Sequence, residues 1–571
     1  MSEKKRLTGY PSIDKPWLKY YTEQQINAPL PHMTAYEYLK LQNAERLDYL
    51  AIDSEVGCYT YGELFNQIDA TAKSLWAMGI QKGKNVLSMF PVLPHESFLF
   101  YGIDAVGAAL CQVAPQYTAA EVCNFANRID ADLFFVFDFI LTPEMERMVY
   151  ENTNVRHIIV VSFSPLQGRD ERTLSWDAFM AMGKDVILPE IHRDLSKDVL
   201  MFSFTSGSTG IPKCVMLSDN CFNGAVHQYL NCAIEYIPGD SMLRVVPAFI
   251  VSAAVAAHHL PLCAGLRTIY INHPQDANEF AELILAKRPN HSIITAAIMD
   301  AFETNEKMIG QDLSFIKVTG CGGMSITRKF EERVACFYSE HNIQGFYGYS
   351  WGNSESAACG ANRTNYETTR IGTAGAPMVN TTIAAFDLDT CVELPYDEIG
   401  ELCIQSPNIM IGYYGNEELT AKALRTHTDG SVWLHTGDLG SIDKDGLVTV
   451  KGRTVRILLL APMTKLYPQA LENDVSTVHG VQSVIFCGIP DTDHDGFVLP
   501  VCYIVPEDMD KAEEVKTAVE NFCSVNFPVD FRPKHVFIKD HMPMNKGNKP
   551  DILLLEKEAT EVLGLAPQTN H

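Results

Sequence analysis

The chain reads as an α/β protein with a large N-terminal part, residues 1–452, and a small C-terminal domain, residues 453–571. Three observations carry this reading. Apolar helices alternate with short, wholly apolar strands in the first part. Past Gly452-Arg453-Thr454-Val455-Arg456 the pattern changes to longer strands around one amphipathic helix. At 571 residues, the chain is too long for a single core.

The elements follow in order. "YTYGELFNQIDATAKSLWAMGI" predicts a helix with Leu64, Ile68, Ala72 and Leu75 on one face and Gly79 near its end. "GKNVLSMF" and "ADLFFVFD" predict strands buried on both faces. "DVLMFSF" (198–204) and "KCVMLS" predict two strands with a polar loop between them, and Ser218 is placed to cap a helix through "NCFNGAVHQYL". In the tail, "VQSVIFCGI", "PVCYIV" and "KHVFI" predict strands. "DKAEEVKTAVENFCSVNF" predicts a helix with Ala512, Val515, Val519 and Phe522 inward, and a final helix starts at "DILLLEKEATEVLG". No repeat or low-complexity segment interrupts this order.

Composition narrows the function. A net charge of −25 repels nucleic acid and anionic membrane surfaces, leaving small-molecule chemistry. The 15 cysteines form no Cys-x-x-Cys pair, which predicts reduced thiols in a cytoplasmic protein. "MSEKKRLTGYPSIDKPW" lacks the apolar run of a signal peptide. The most apolar stretch, Val245–Ala257, is broken by Pro247 and too short to insert stably in a membrane.

The loop between the two strands is "FTSGSTGIPK", Phe204–Lys213. Its glycines allow close backbone approach to an anion, its hydroxyls and N–H groups converge, and Lys213 adds charge. The spacing is not that of the common NTPase loop, whose Lys-Ser/Thr opens a helix; here a strand follows.

Further motifs stand in a fixed order: "CGGMSI", "GELCIQSPNIMIGYY", "LHTGDLG", "KGR" and "PMNKGNKPD". With the loop, they make the chain resemble the adenylate-forming superfamily of acyl-CoA synthetases, carrier-protein adenylation domains and luciferases, over nearly its whole length. The resemblance implies layered α/β sheets, a small β-barrel-like part and a mobile C-terminal lid. It also implies site residues. Thr205, Ser206, Gly207, Ser208, Thr209, Gly210 and Lys213 would grip the leaving pyrophosphate. Gly322, Gly323 and Met324 would lie against adenine and the start of the acyl pocket. Asp438 would accept from the ribose hydroxyls, although alone it reads as a turn aspartate, and Arg453 would reach ribose or phosphate.

Two registers fit the aromatic-Gly-x-Thr-Glu motif in "FYGYSWGNSES". The one starting at Trp351 keeps the acid, so Trp351 and Gly352 would neighbour adenine, Ser354 the α-phosphate, and Glu355 would hold Mg²⁺. Lys549 takes the catalytic slot of the tail loop and Lys546 is its rival; Val455 takes the hinge position.

The implied reaction joins a carboxylic acid to a thiol, most simply that of CoA, at the expense of ATP. Loading of an acyl carrier protein's phosphopantetheine is one alternative; a degenerate ATP-binding protein unable to form thioester is the other. Amino-acid-activating relatives carry an Asp in the segment matching "VVPAFIVSAAVAAHHL", and none stands here, which points to an acid without an α-amine. Two departures from the family pattern are Ile250, where many relatives have His, and Pro462-Met463-Thr464, where they have a glycine-containing stretch. "DTDHDG" (491–496) starts like a calcium loop but has Cys502 at its twelfth position. His258-His259 is set aside as a metal site, because adjacent residues diverge and no Asp, Glu or Cys partner lies close.

Overall fold

The computed structural model describes residues 7–205, 212–271, 277–322, 327–461, 464–492, 494, 497–544 and 550–565. Two large sheets form the first part. The eight-stranded sheet runs, strand by strand, 412–413, 213–217, 201–205, 109–112, 85–89, 131–137, 157–161 and 173–175. It is parallel from 201–205 to its far edge and antiparallel at 213–217 and 412–413. The continuous apolar run Leu133–Phe137 is buried on both faces, as a central parallel strand requires.

The nine-stranded sheet runs 376–377, 361–362, 346–351, 318–322, 291–293, 241–244, 267–270, 50–54 and 57–60. The helix Tyr61–Ala77 covers its edge. Thr60 and Glu63 close a capping box at its start, and Leu64, Ile68, Ala72 and Leu75 are fully buried. Gly79 follows its end with φ +78°, in the left-handed region glycine tolerates.

The small β part is a five-stranded antiparallel sheet: 382–386, 400–405, 432–442 and 424–426, with 448–453 on the other side of 432–442. After Arg453 the chain builds separate sheets, 458–461 with 464–466, and 481–490 with 498–506 and 536–538. Helices Ala512–Asn526 and Ile552–Val562 pack on them. Ala512, Val515 and Val519 are buried, while Phe522 packs at the margin. The carboxyl ends of parallel strands 318–322 and 346–351 pair through Gly322 and Ser350, and Trp351 at the end of the latter reaches Asp438 on strand 432–442; open α/β sheets bind ligands at such ends.

His258 and His259 sit in a short π-helix, Ala253–His259, both fully buried. His258 Nε2 meets Ser97 Oγ at 2.8 Å; His259 meets Tyr101 Oη at 2.9 Å and Asn223 Oδ1 at 3.0 Å. One expectation needs correction: Cys263 Sγ lies 3.6 Å from His259 Nδ1, because residues four apart on a helix share a face.

Candidate active site

The hairpin Met201–Thr205/Lys213–Leu217 pairs Thr205 with Lys213, so both ends of the Gly/Ser-rich loop are fixed side by side. Ser206, Gly207, Ser208, Thr209 and Gly210 lie outside the described residues, as do Gly323, Met324, Lys546 and Lys549. The tail loop's ends are pinned: Met544 bridges Pro550, and Asp551 N–H donates to the Pro543 carbonyl at 2.8 Å.

The charged and aromatic residues among the remaining expected ones fall into two groups, which the charge of Arg453 couples through Glu355 and Tyr413. Lys213 Nζ stands 5.2 Å from the centre of the Tyr413 ring. Tyr413 Oη donates to Glu355 Oε1 at 2.7 Å. Burial, reinforced by Glu355, raises the phenol well above its usual range, so it stays a donor. Trp351 Nε1 donates to Asp438 Oδ2 at 2.9 Å, and Arg453 Nε donates to Asp438 Oδ1 at 2.7 Å. The Asp438 charge, assisted by Glu355 and Tyr413, raises the guanidinium of Arg453 further. Thus a carboxylate on the 432–442 strand, an indole from 346–351 and an arginine from 448–453 are joined across two sheets.

Local backbone explains the placement. Gly437 adopts φ +72°, which turns the strand so that Asp438 faces Trp351. Thr436 Oγ1 donates to the Leu402 carbonyl at 2.6 Å and accepts from Asp438 N–H at 3.0 Å, while Gly437 N–H donates to Glu401 Oε1 at 3.0 Å. Gly352 is needed for a close approach: a Cβ there would fall 2.7 Å from the Ala358 carbonyl carbon. A Cβ on Gly322 would fall 2.6 Å from Ser350 Oγ. Ser354 and Glu355 open a short 3₁₀ turn, 354–356, after that close approach.

Val455 is 63% exposed in the turn Thr454–Arg456. It lies between two anchored arginines: Arg453 holds Asp438, and Arg456 Nη2 donates to Glu472 at 2.6 Å and to the Phe486 carbonyl at 3.0 Å. The "DTDHDG" segment lies partly outside the described residues.

Two contributors escape sequence reasoning. Tyr413 stands in an apolar strand ending where an aromatic reads as packing; only its place after "IMIG" in a family motif signals more. Asn353 Oδ1 is buried with no hydrogen-bond partner among the described residues, two positions before Glu355. Oxygen donors of that kind suit a hard cation.

The chain is an adenylate-forming enzyme of the acyl-CoA ligase superfamily, on its match to a family model and to curated relatives. The chain belongs to the AMP-binding enzyme family, whose model matches residues 39–414, and is an AMP-forming enzyme of the acid–CoA ligase kind. It is similar to 4-coumarate–CoA ligase 2 of Petroselinum crispum, 26% identical over 497 residues that cover 86% of this chain and 87% of that protein. Among solved structures, it resembles the anthranilate CoA ligase AuaEII in complex with anthranoyl-AMP, with a TM-score of 0.81, 17% identity and coverage of 95% and 100%. ATP-bound MatB from Rhodopseudomonas palustris superposes with a TM-score of 0.78, 19% identity and coverage of 93% and 100%. Among the described residues, no helix is long and apolar enough to cross a membrane.

Proposed function

We propose that the chain activates a carboxylic acid lacking an α-amine with ATP and passes the acyl group to the thiol of CoA. The linked set Trp351–Asp438–Arg453 carries this reading. A carboxylate already held by an indole N–H and a guanidinium is preorganised to accept two ribose hydroxyls. The Thr205–Lys213 loop receives the β- and γ-phosphates, leaving the α-phosphorus open. A substrate carboxylate oxygen attacks it, the bond to pyrophosphate breaks, and acyl-AMP forms. Lys549 stabilises the charge that develops there. The thiol then attacks the acyl carbon and AMP leaves. Mg²⁺ would fit Glu355 and the buried Asn353 oxygen, and would neutralise phosphate charge.

The acid's class is supported by the charge balance around Val245–Leu260. Glu96 reaches this segment from another helix and accepts from Ala248 N–H. Its charge is already matched by Arg244, 2.7 Å away, and both groups are buried. Among the described residues, no carboxylate is left over for an ammonium in that segment. The turn 454–456 is the pivot between the half-reactions, since its flanking arginines are anchored on opposite sides of it.

Pyrophosphate exchange against a panel of carboxylic acids tests the first step, and thioester formation with CoA tests the second. Exchange and thioester with one acid class are expected. Exchange without CoA thioester would move the acceptor to a carrier-protein pantetheine. No exchange with any acid would leave a nucleotide-binding protein without ligase activity.

A further inference from the structure

Beside the Thr-Gly-Asp turn, in the small sheet, stand four side chains that the proposed reaction does not use. Glu401 and Cys403 lie two apart on strand 400–405, so they share a face, and Cys403 pairs directly with His435 on strand 432–442. Glu401 Oε2 is 2.8 Å from His435 Nδ1, and Cys403 Sγ is 3.4 Å from the same nitrogen. The three donor atoms all lie within 4.8 Å of one another, and all three residues are buried. On the far side of the ring, His435 Nε2 is 3.0 Å from His427 Nε2. Phe386 and Trp433 wall the cluster.

An ion pair between Glu401 and His435 accounts for only two of these groups. It gives no reason for a thiol beside the same nitrogen, or for a second imidazole at the opposite edge. A metal centre accounts for all four. We propose that Glu401, Cys403 and His435 Nδ1 form a zinc site, with His427 as the outer partner that orients the His435 ring.

The geometry suits tetrahedral zinc with three protein donors and a water in the fourth position. Bond lengths of about 2.3 Å to sulfur and about 2.0 Å to nitrogen and oxygen place the sulfur about 3.5 Å and the oxygen about 3.3 Å from the nitrogen. The thiol is already at that separation, and the carboxylate opens by about half an ångström. Thiolate with imidazole and carboxylate is a donor set that zinc takes and magnesium or calcium does not. Charge also balances: Zn²⁺ with one thiolate and one carboxylate is neutral, as a buried centre requires. Binding expels the thiol proton to solvent. The His435 ring proton moves to Nε2, where His427 Nε2 accepts its hydrogen bond. Glu401 keeps its other oxygen on Gly437 N–H, so the centre braces the turn that carries Asp438.

The test uses the full chain, stripped with chelator and titrated with Co²⁺ as the probe. One equivalent is expected to give tetrahedral d–d bands and a thiolate charge-transfer band. Cys403→Ala and Cys403→Ser are expected to abolish the charge-transfer band, and His427→Gln to weaken affinity about 10–100-fold. Far-UV circular dichroism checks that each variant folds. X-ray absorption of the zinc-loaded wild type provides a reading without a variant: one sulfur with nitrogen and oxygen neighbours is expected. Failure of the wild type to bind Co²⁺ or Zn²⁺ would overturn the proposal. So would an unchanged charge-transfer band in Cys403→Ala, or an absorption spectrum without a sulfur neighbour. Ligase activity does not enter any of these readings.

Discussion

The proposed nucleotide end and the proposed acid end of this molecule treat charge in opposite ways. At the proposed nucleotide end, Asp438 and Arg453 form one hydrogen-bonded pair, while Glu355 is joined to Lys213 through the Tyr413 ring. At the proposed acid end, charge is present but cancelled: Glu96 meets Arg244, and His258 and His259 are held neutral by burial. In the proposed function this difference sets where binding strength resides: ATP would meet preorganised charge, whereas the acid would meet an apolar segment beside which, among the described residues, Glu96 is already paired with Arg244.

The largest expected effect comes from breaking that cancellation. Arg244→Ala leaves Glu96 buried without its partner and is expected to cost about 3–5 kcal/mol of stability. Adding Glu96→Gln should recover much of the loss; chemical denaturation of both variants reads the difference. An Arg244→Ala protein as stable as wild type would mean that solvent reaches this pair.

Next is the charge proposed to act only in the transition state. Lys549→Ala is expected to slow adenylate formation by about 10² or more, with Lys546→Ala near wild type. Pyrophosphate exchange at saturating ATP distinguishes the two, and the reverse order would reassign the catalytic lysine.

The buried histidines give a pH signature. Burial lowers His259 from 6.5 to about 3 and His258 well below 6.5. Their folded pKa values are depressed, so the unfolded chain takes up protons first as pH falls. Their contribution is fully present above 6.5 and is lost below it, by about 1.4 kcal/mol per pH unit for each histidine, until the folded values are reached. Unfolding midpoints measured between pH about 5.5 and about 4.5 should fall accordingly. His259→Gln should flatten the slope; an unchanged slope would count against a neutral buried imidazole.

The smallest effect concerns ribose. Asp438→Asn removes a charged acceptor shared by Trp351 and Arg453 and is expected to raise the KM for ATP about tenfold, with less change in kcat. An unchanged KM would remove Asp438 from the nucleotide site.

Much of this was legible in the sequence, because periodicity reports burial. Leu64, Ile68, Ala72 and Leu75 announce their helix, and Leu133–Phe137 its central strand. The strand–loop–strand setting of Thr205 and Lys213 was legible for the same reason. Tyr413, Glu96 with Arg244, and the Glu401–Cys403–His435 cluster were not. Each depends on residues far apart in sequence meeting across a sheet or between a helix and a strand, and a linear pattern carries no record of such meetings. His259 with Cys263 is the exception: four residues apart, they became neighbours once that segment proved helical.

Charge is proposed to serve the nucleotide and to be withheld from the acid. Pyrophosphate exchange with matched pairs tests this most directly, each pair being a carboxylic acid and the same acid carrying an α-amine. Exchange should follow the unaminated member of a pair, with the aminated member at background. Exchange driven by the aminated acid alone would contradict it, since its ammonium would then have found a carboxylate that the Glu96–Arg244 pair was taken to have neutralised.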